Sequence, residues 1–310
     1  MEKLMHISAS PHVRSQMSTA RIMQLVLLSL MPATVYGVVH FGIQALYQIL
    51  VCMGTCLVSE FLYEAIADRP VRIWDCSSLV TGLLLALTLP VSVPLWVGAM
   101  GSVFAIVIVK MIFGGIGQNI VNPAMAARCF LMISFAGILT DFTADGISGP
   151  TPLAVLKAGE TMDPLPLLMG NTAGTIGETS VIALLAGAVF LLMFGIIDLR
   201  IPASYLISFG VFYIFFGGYG YDAVRLASQL CSGGLMLGAW FMATDFVTSP
   251  ITHKGKILYG VLLGILTGIF RVYGSGVEGV SYAILLGNLA VPLIEKITVP
   301  RAFGRRKGKR

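Results

Sequence analysis

The stretch GLLLALTLPVSVP, residues 82–94, lies in register over GAWFMATDFVTSP, residues 238–250. Gly82 falls on Gly238, Thr88 on Thr244 and Pro94 on Pro250. Each stretch begins apolar and ends in proline, so each reads as the close of a spanning segment. Both halves break again at glycines, GGIG at 114–117 and YGSG at 273–276, before another apolar segment. If each copy holds five crossings, an odd number, the second copy enters the membrane upside down. Inverted repeats place a functional site at their shared interface, near interrupted helices. The expected fold is an all-α polytopic membrane protein of about ten transmembrane helices in two inverted five-helix repeats.

Composition supports a lipid environment. Hydrophobic residues make up 56% of the 310 and charged residues only 11%, with a mean hydropathy of +0.88. Soluble domains carry about 25% charged residues. A transmembrane β-barrel needs short alternating segments, and the apolar runs here are long. They fall near 22–39, 43–67, 78–89, 95–113, 122–139, 180–197, 203–216, 224–244, 257–272 and 280–294. The expected division is a first repeat over 1–140, an extracytoplasmic loop over 141–179, a second repeat over 180–296 and a basic cytoplasmic tail over 297–310.

Lysine and arginine in short loops set the orientation. The N-terminal tail, Arg69 and Arg72, Arg200, Lys254 and Lys256, and the C-terminal tail then all face the cytoplasm. The central stretch, with Asp141, Asp145, Glu160, Asp163 and Glu178 against the single Lys157, falls outside. The net charge of +5 comes with six basic residues in the last ten positions (Arg301, Arg305, Arg306, Lys307, Lys309 and Arg310). That is a topogenic tail, not a nucleic-acid surface. Met1 to Arg21 has no early apolar core, so no cleavable signal is expected. Cys52, Cys56, Cys76, Cys129 and Cys231 form no metal-ligand spacing, and His6, His12, His40 and His253 form no cluster. No metal site is expected.

Ionisable residues within apolar segments are functional hypotheses by default. Asp245, with Thr244 beside it, closes the eighth segment and is read as lining an ion or proton path, steadying a cofactor, or capping a helix break. Arg128 follows the break at GGIG and is read as neutralising a cofactor's negative charge or pairing with an acid. Asn119 and Asn122 offer amides to a flavin edge or a cation, or cap the fifth helix. Lys110 is expected to snorkel, and Glu60 and Glu64, on one face near a helix end, to sit at the interface or to bind an ion.

Between the halves lies DGISGPTPL, residues 145–153. Its chemistry allows a turn capped by Asp145 or Ser148, an anion site in which Gly149 lets amides approach a phosphate, or an ester on the Thr151 hydroxyl. The segment resembles the flavinylation motif of the RnfD/NqrB family, Asp-x-x-Ser/Thr-Gly-Ala-Thr, in which the last threonine carries FMN through a phosphoester bond. GGIGQNIVNPAMAARCF (114–130) and FMATDFVTSPIT (241–252) resemble two further family segments, in the same order. The one departure is Pro150, where the motif has alanine; proline fixes φ and removes an amide donor.

The resemblance implies a prokaryotic inner-membrane subunit of an Rnf-type complex. It would relay electrons between ferredoxin and NAD through FMN on Thr151, coupled to movement of sodium ions or protons. Asp145, Ser148 and Gly149 would form the attachment motif, and a non-covalent riboflavin is a further family cofactor. Implied partners are iron–sulfur and NAD-binding subunits, a second FMN-carrying subunit, other membrane subunits and a flavin transferase. Neither a Rossmann glycine motif nor a cysteine cluster is present, so those partners would supply NAD and iron–sulfur chemistry. The rival readings are an NqrB-like quinone reductase subunit, against which the lack of a long N-terminal extension argues, and a flavin-free channel resembling urea transporters.

Overall fold

The structure, a computed structural model, describes residues 17–142, 151–170, 172–274 and 279–300. These residues form helices and no strand. In chain order the helices are α1 (Thr19–Phe41), α2 (Ile43–Ile66), α3 (Ser77–Leu87), α4 (Leu95–Val103), α5 (Pro123–Ser134), α6 (Ala136–Leu139), α7 (Pro152–Lys157), α8 (Pro164–Met169), α9 (Val181–Met193), α10 (Arg200–Phe216), α11 (Ala223–Cys231), α12 (Leu235–Leu237), α13 (His253–Tyr273) and α14 (Val280–Thr298). Two π-helical stretches, Phe104–Met111 and Gly238–Met242, extend α4 and α12. Helices α1, α2, α13 and α14 are long and apolar enough to cross a bilayer, and five shorter apolar helices accompany them. This all-helical, apolar architecture fits a multi-pass membrane protein.

The helix ends sit where the local chemistry puts them. Ser18 caps α1 through the Arg21 N–H, and Asn122 caps α5 through the Ala124 and Met125 N–H groups with Pro123 at the first helical position. Asp222 and Thr252 cap α11 and α13 in the same way. The segment expected as one helix over 224–244 is instead divided. α11 stops at Cys231, and Ser232-Gly233-Gly234 turns the chain, Gly233 at φ +62°, before α12 begins. Serine and two glycines in a row are a breaker signal the apolar flanks obscured.

Breaks at matching positions end the interrupted helices. α3 stops at Leu87, where the Thr88 hydroxyl donates to Leu85 O at 2.7 Å. The second π-helical stretch stops at Met242, where Thr244 donates to Trp240 O at 2.6 Å. Apolar surroundings offer no water to the carbonyls freed at such ends, so the protein must supply donors. For α3 they come from the central stretch: Gly177 N–H donates to Leu87 O at 2.8 Å and Ile176 N–H to Leu89 O at 3.2 Å. Residues 172–180 are almost wholly buried for this reason, although their composition reads as a polar loop.

Packing depends on small residues. Helix α13 lies along α10, and a Cβ on Gly264 would collide with Ser208 Oγ and sit 2.7 Å from Tyr205 O. Gly260 and Gly268, one turn either side, approach Ser204 and Phe212 as closely. Glycine every fourth residue lets two backbones meet, which matters where dispersion rather than water exclusion joins helices. Helix α1 packs on α9, with Gly187 against Ser29 O, and α5 packs on α14.

Candidate functional site

A cavity opens among the starts of α1, α3 and α5, the end of α9 and the break after Met242. Its walls are largely apolar, including Leu84, Leu191, Ile197 and Phe241, and its polar groups are Lys110, Asn119, Asn122, Thr244, Asp245 and Ser77. Four residues singled out from the sequence, Asn119, Asn122, Thr244 and Asp245, therefore share one site. Both π-helical stretches end beside it, one at Lys110 and the other next to Thr244. Such widened turns displace side chains from the regular helical register and are frequent at functional sites.

Each polar group is fixed by its own bonds. The Asn122 side chain caps α5 with its oxygen, while Nδ2 donates to Met242 O at 3.4 Å, tying α5 to the opposite break. Asn119 Nδ2 donates to Val121 O at 3.2 Å. Asp245 accepts from Thr248 Oγ1 at 3.1 Å and from the backbone N–H groups of Phe246 and Val247. It thus caps the helix break and faces the cavity at once. Behind Asn122, the Asn288 amide bonds Tyr259 Oη at 2.6 Å and, with its oxygen turned toward α5, accepts the Asn122 N–H at 3.0 Å. This buried network sets the position of the asparagine cap.

Three residues depart from their sequence expectation. Lys110 does not snorkel: it is 3% exposed, with Nζ 2.6 Å from Glu60 Oε1 and 2.6 Å from Ser77 Oγ. Glu60 and Glu64, expected at the interface, are buried within the protein, Glu64 Oε2 accepting the Arg72 N–H at 3.0 Å. The reason is tertiary. α3 and the α4 extension cover the face of α2 that a helical wheel leaves open, and Lys110 arrives 50 residues later as a counter-charge. Charge of both signs at matching depth was the available signal.

Arg128 lies away from the cavity. Its Nη1 is 2.8 Å from Glu178 Oε1, and both side chains are buried. Gly234 makes room for the pair, since a Cβ there would stand 2.5 Å from Glu178 Oε1. Pairing with an acid is one of its two expected roles. Thr151 also lies apart: it is half-buried and caps α7, its Oγ1 accepting the Ala154 N–H at 3.4 Å. Asp145, Ser148 and Gly149 lie outside the described residues. Helix α7 carries Thr151 toward the far end of the bundle. Lys157 Nζ donates to Gly274 O at 2.6 Å, and the Arg225 guanidinium bonds Gly159 O and lies over the Tyr219 ring at 3.5 Å.

Known proteins match this chain over nearly its whole length. The family model described as NQR2, RnfD, RnfE covers residues 6–304. The D subunit of the Na(+)-translocating ferredoxin:NAD(+) oxidoreductase complex of Acetobacterium woodii is 44% identical, over 98% of this chain and 96% of its own. Its proton-translocating counterpart in Clostridium ljungdahlii is 39% identical over 97% of this chain and 96% of its own. The D subunit of the ion-translocating oxidoreductase complex of Escherichia fergusonii is 35% identical over 97% of this chain and 99% of its own. By these matches and by the order of its motifs, the chain is a member of the NQR2, RnfD, RnfE family.

Proposed function

We propose that the chain is the RnfD-type membrane subunit of a ferredoxin:NAD oxidoreductase complex, moving electrons through two flavins while the complex translocates sodium ions or protons. Relatives that are D subunits of such complexes, matched end to end, support this reading. One flavin is FMN esterified to Thr151; the other is a non-covalent riboflavin in the cavity lined by Asn119 and Asn122. Its partners are the iron–sulfur and NAD-binding subunits, the second FMN-carrying subunit and the other membrane subunits, and a flavin transferase attaches the FMN.

The observation that carries the second flavin is the lining of the cavity. Apolar walls with a few convergent polar groups are the surroundings in which ring-shaped cofactors bind. Leu84, Leu191 and Phe241 would face the ring, while the Asn119 and Asn122 amides and Thr244 meet its polar edge. When bound, a flavin exchanges electrons singly or in pairs, which lets it sit between one-electron and two-electron carriers. The protein's own part is to hold the ring, exclude water and place Asp245 and Lys110 beside it. Thr151 fits attachment because it is partly exposed and its hydroxyl, among the described residues, accepts one long bond.

The layout follows the same reading. Pairing α1–α5 with α9–α14, the interrupted helices included, gives two repeats of five crossings related by an inverted two-fold. In support, α1 meets α9 and α5 meets α14, the contacts such an axis requires. Both termini then face the cytoplasm and Thr151 faces outward in a bacterial inner membrane. The test is flavin fluorescence after denaturing electrophoresis of the chain made with its flavin transferase. A fluorescent band lost in Thr151→Ala is expected; a dark wild-type band would refute the covalent FMN and favour the channel reading.

A further inference from the structure

A second cavity, of about 390 Å³, lies beside the first and is lined by Glu60, Glu64, Arg69, Arg72, Asp75 and the backbone of Gly114 and Gly115. It is the more polar of the two. Glu60 lines this cavity, Lys110 lines the flavin cavity, and the 2.6 Å ion pair between them is the partition. Burying such a pair gains little over apolar packing, so stability alone does not account for it. Two of the three donors of the Lys110 ammonium are occupied, by Glu60 Oε1 and Ser77 Oγ. Glu60 Oε2 is buried and has no hydrogen-bond partner among the described residues. One carboxylate oxygen thus holds the lysine while the other has no protein partner, on a residue that borders the polar cavity.

Resting on the flavin reading above, we infer that Lys110 is the proton donor to the cavity's redox ligand and that Glu60 restores its proton from the second cavity. An electron supplied by reduced ferredoxin through the iron–sulfur subunits adds negative charge in the first cavity. One proton then leaves Lys110 Nζ for a ring nitrogen, and the N–H bond breaks to leave a neutral amine. Glu60 takes up one proton from the bulk solvent, relayed through the second cavity, and passes it to Nζ across 2.6 Å. The ion pair is restored, and one proton has followed one electron. Ser77 orients the ammonium, itself donating to Asp75 Oδ1 at 2.6 Å. The charged and titratable groups facing the pair are Glu64 and Cys56 on α2, Asp75 before α3, Arg69 and Arg72 in the second cavity, and Asp245 across the first. An arginine offers charge without a transferable proton, so Lys110→Arg separates the two roles.

The experiment uses the intact complex. Extracted non-covalent flavin is quantified first, then its reduction is followed by stopped-flow absorbance in H₂O and D₂O. In Lys110→Met and Lys110→Arg the flavin is retained, its reduction slows at least tenfold, and the solvent isotope effect of the wild type disappears. Glu60→Gln, which also strips the ammonium of its counter-charge, slows the first reduction less than it slows later turnovers. Wild-type rate and isotope effect in both Lys110 variants would overturn the inference, and so would a normal Lys110→Arg beside a slow Lys110→Met, which assigns Lys110 charge alone. Loss of flavin from both Lys110 variants would also overturn it, in favour of a binding role. A wild-type complex without non-covalent flavin would instead overturn the reading on which the inference rests.

Discussion

Arg128 Nη1 stands 2.8 Å from Glu178 Oε1, and the pair joins α5 to the segment that leads into α9. The two halves of the chain are thus fastened by opposite charges out of reach of water. Removing one partner strands the other charge. Arg128→Met or Glu178→Gln should destabilise the folded subunit by about 3–5 kcal/mol. The double replacement Arg128→Met with Glu178→Met should recover much of that loss. Thermal unfolding in detergent measures both, and equal stability of wild type and single variants would contradict the account.

Asn119→Leu and Asn122→Leu remove the amides at the polar end of the flavin cavity. Non-covalent flavin should fall to under about a tenth of wild type, because a site built to bond a polar edge rejects it strongly when its partners are lost. The FMN on Thr151 should stay, because Thr151 lies apart from that cavity. Acid extraction followed by chromatography distinguishes the released flavin from the attached one. Asn122→Leu should also lower stability by about 1 kcal/mol through the lost helix cap, whereas Asn119→Leu should not.

Gly187 faces Ser29 O where α9 crosses α1. Alanine there must push the backbones apart, and overpacking of this kind costs about 1–3 kcal/mol. Gly264→Ala should do the same between α10 and α13. In contrast, Gly54→Ala, with open space beside it, should leave the melting temperature unchanged or slightly raised. Melting curves of the three variants give the ranking.

Asp198 sits in the turn before α10, 2.7 Å from Arg200 Nη1 and 3.2 Å from Lys256 Nζ. Partial burial pushes its carboxyl upward, but the Arg200 N–H, Lys256 and the Arg200 charge together hold it below the ordinary carboxylate range. A folded value below the unfolded one, about 3.9, means stabilisation that is complete above that pH. It is lost as the pH falls through the lower folded value. The site is solvent-screened, so Asp198→Asn should cost no more than about 1 kcal/mol at neutral pH. It should also remove part of the acid sensitivity, read from unfolding midpoints across the acid range down to about pH 3.

The helix ends near Thr88 and Thr244 were legible because proline and threonine mark breaks whatever surrounds them; Asn119, Asn122, Thr244 and Asp245 each stood out, but as two separate pairs and not as one site. The buried pair of Glu60 and Lys110 was not legible. A helical wheel gives the face a residue occupies but not the helix that will cover it, and the partner stands 50 positions on. Residues 172–180 misled for the opposite reason. Threonine, glycine and glutamate look like surface loop, yet here they bond the open end of α3. Arg128 was legible as a buried charge, but its companion lay in the stretch read as an outer loop.

The donors that close α3 have a consequence for biogenesis. Leu87 and Leu89 leave the ribosome long before Gly177 and Ile176, which bond their carbonyls. During synthesis the first half must therefore wait in the insertion machinery with unsatisfied backbone. A chain cut short before residue 172 would expose that gap to lipid, and cellular proteases should clear it rather than let it accumulate as a stable half.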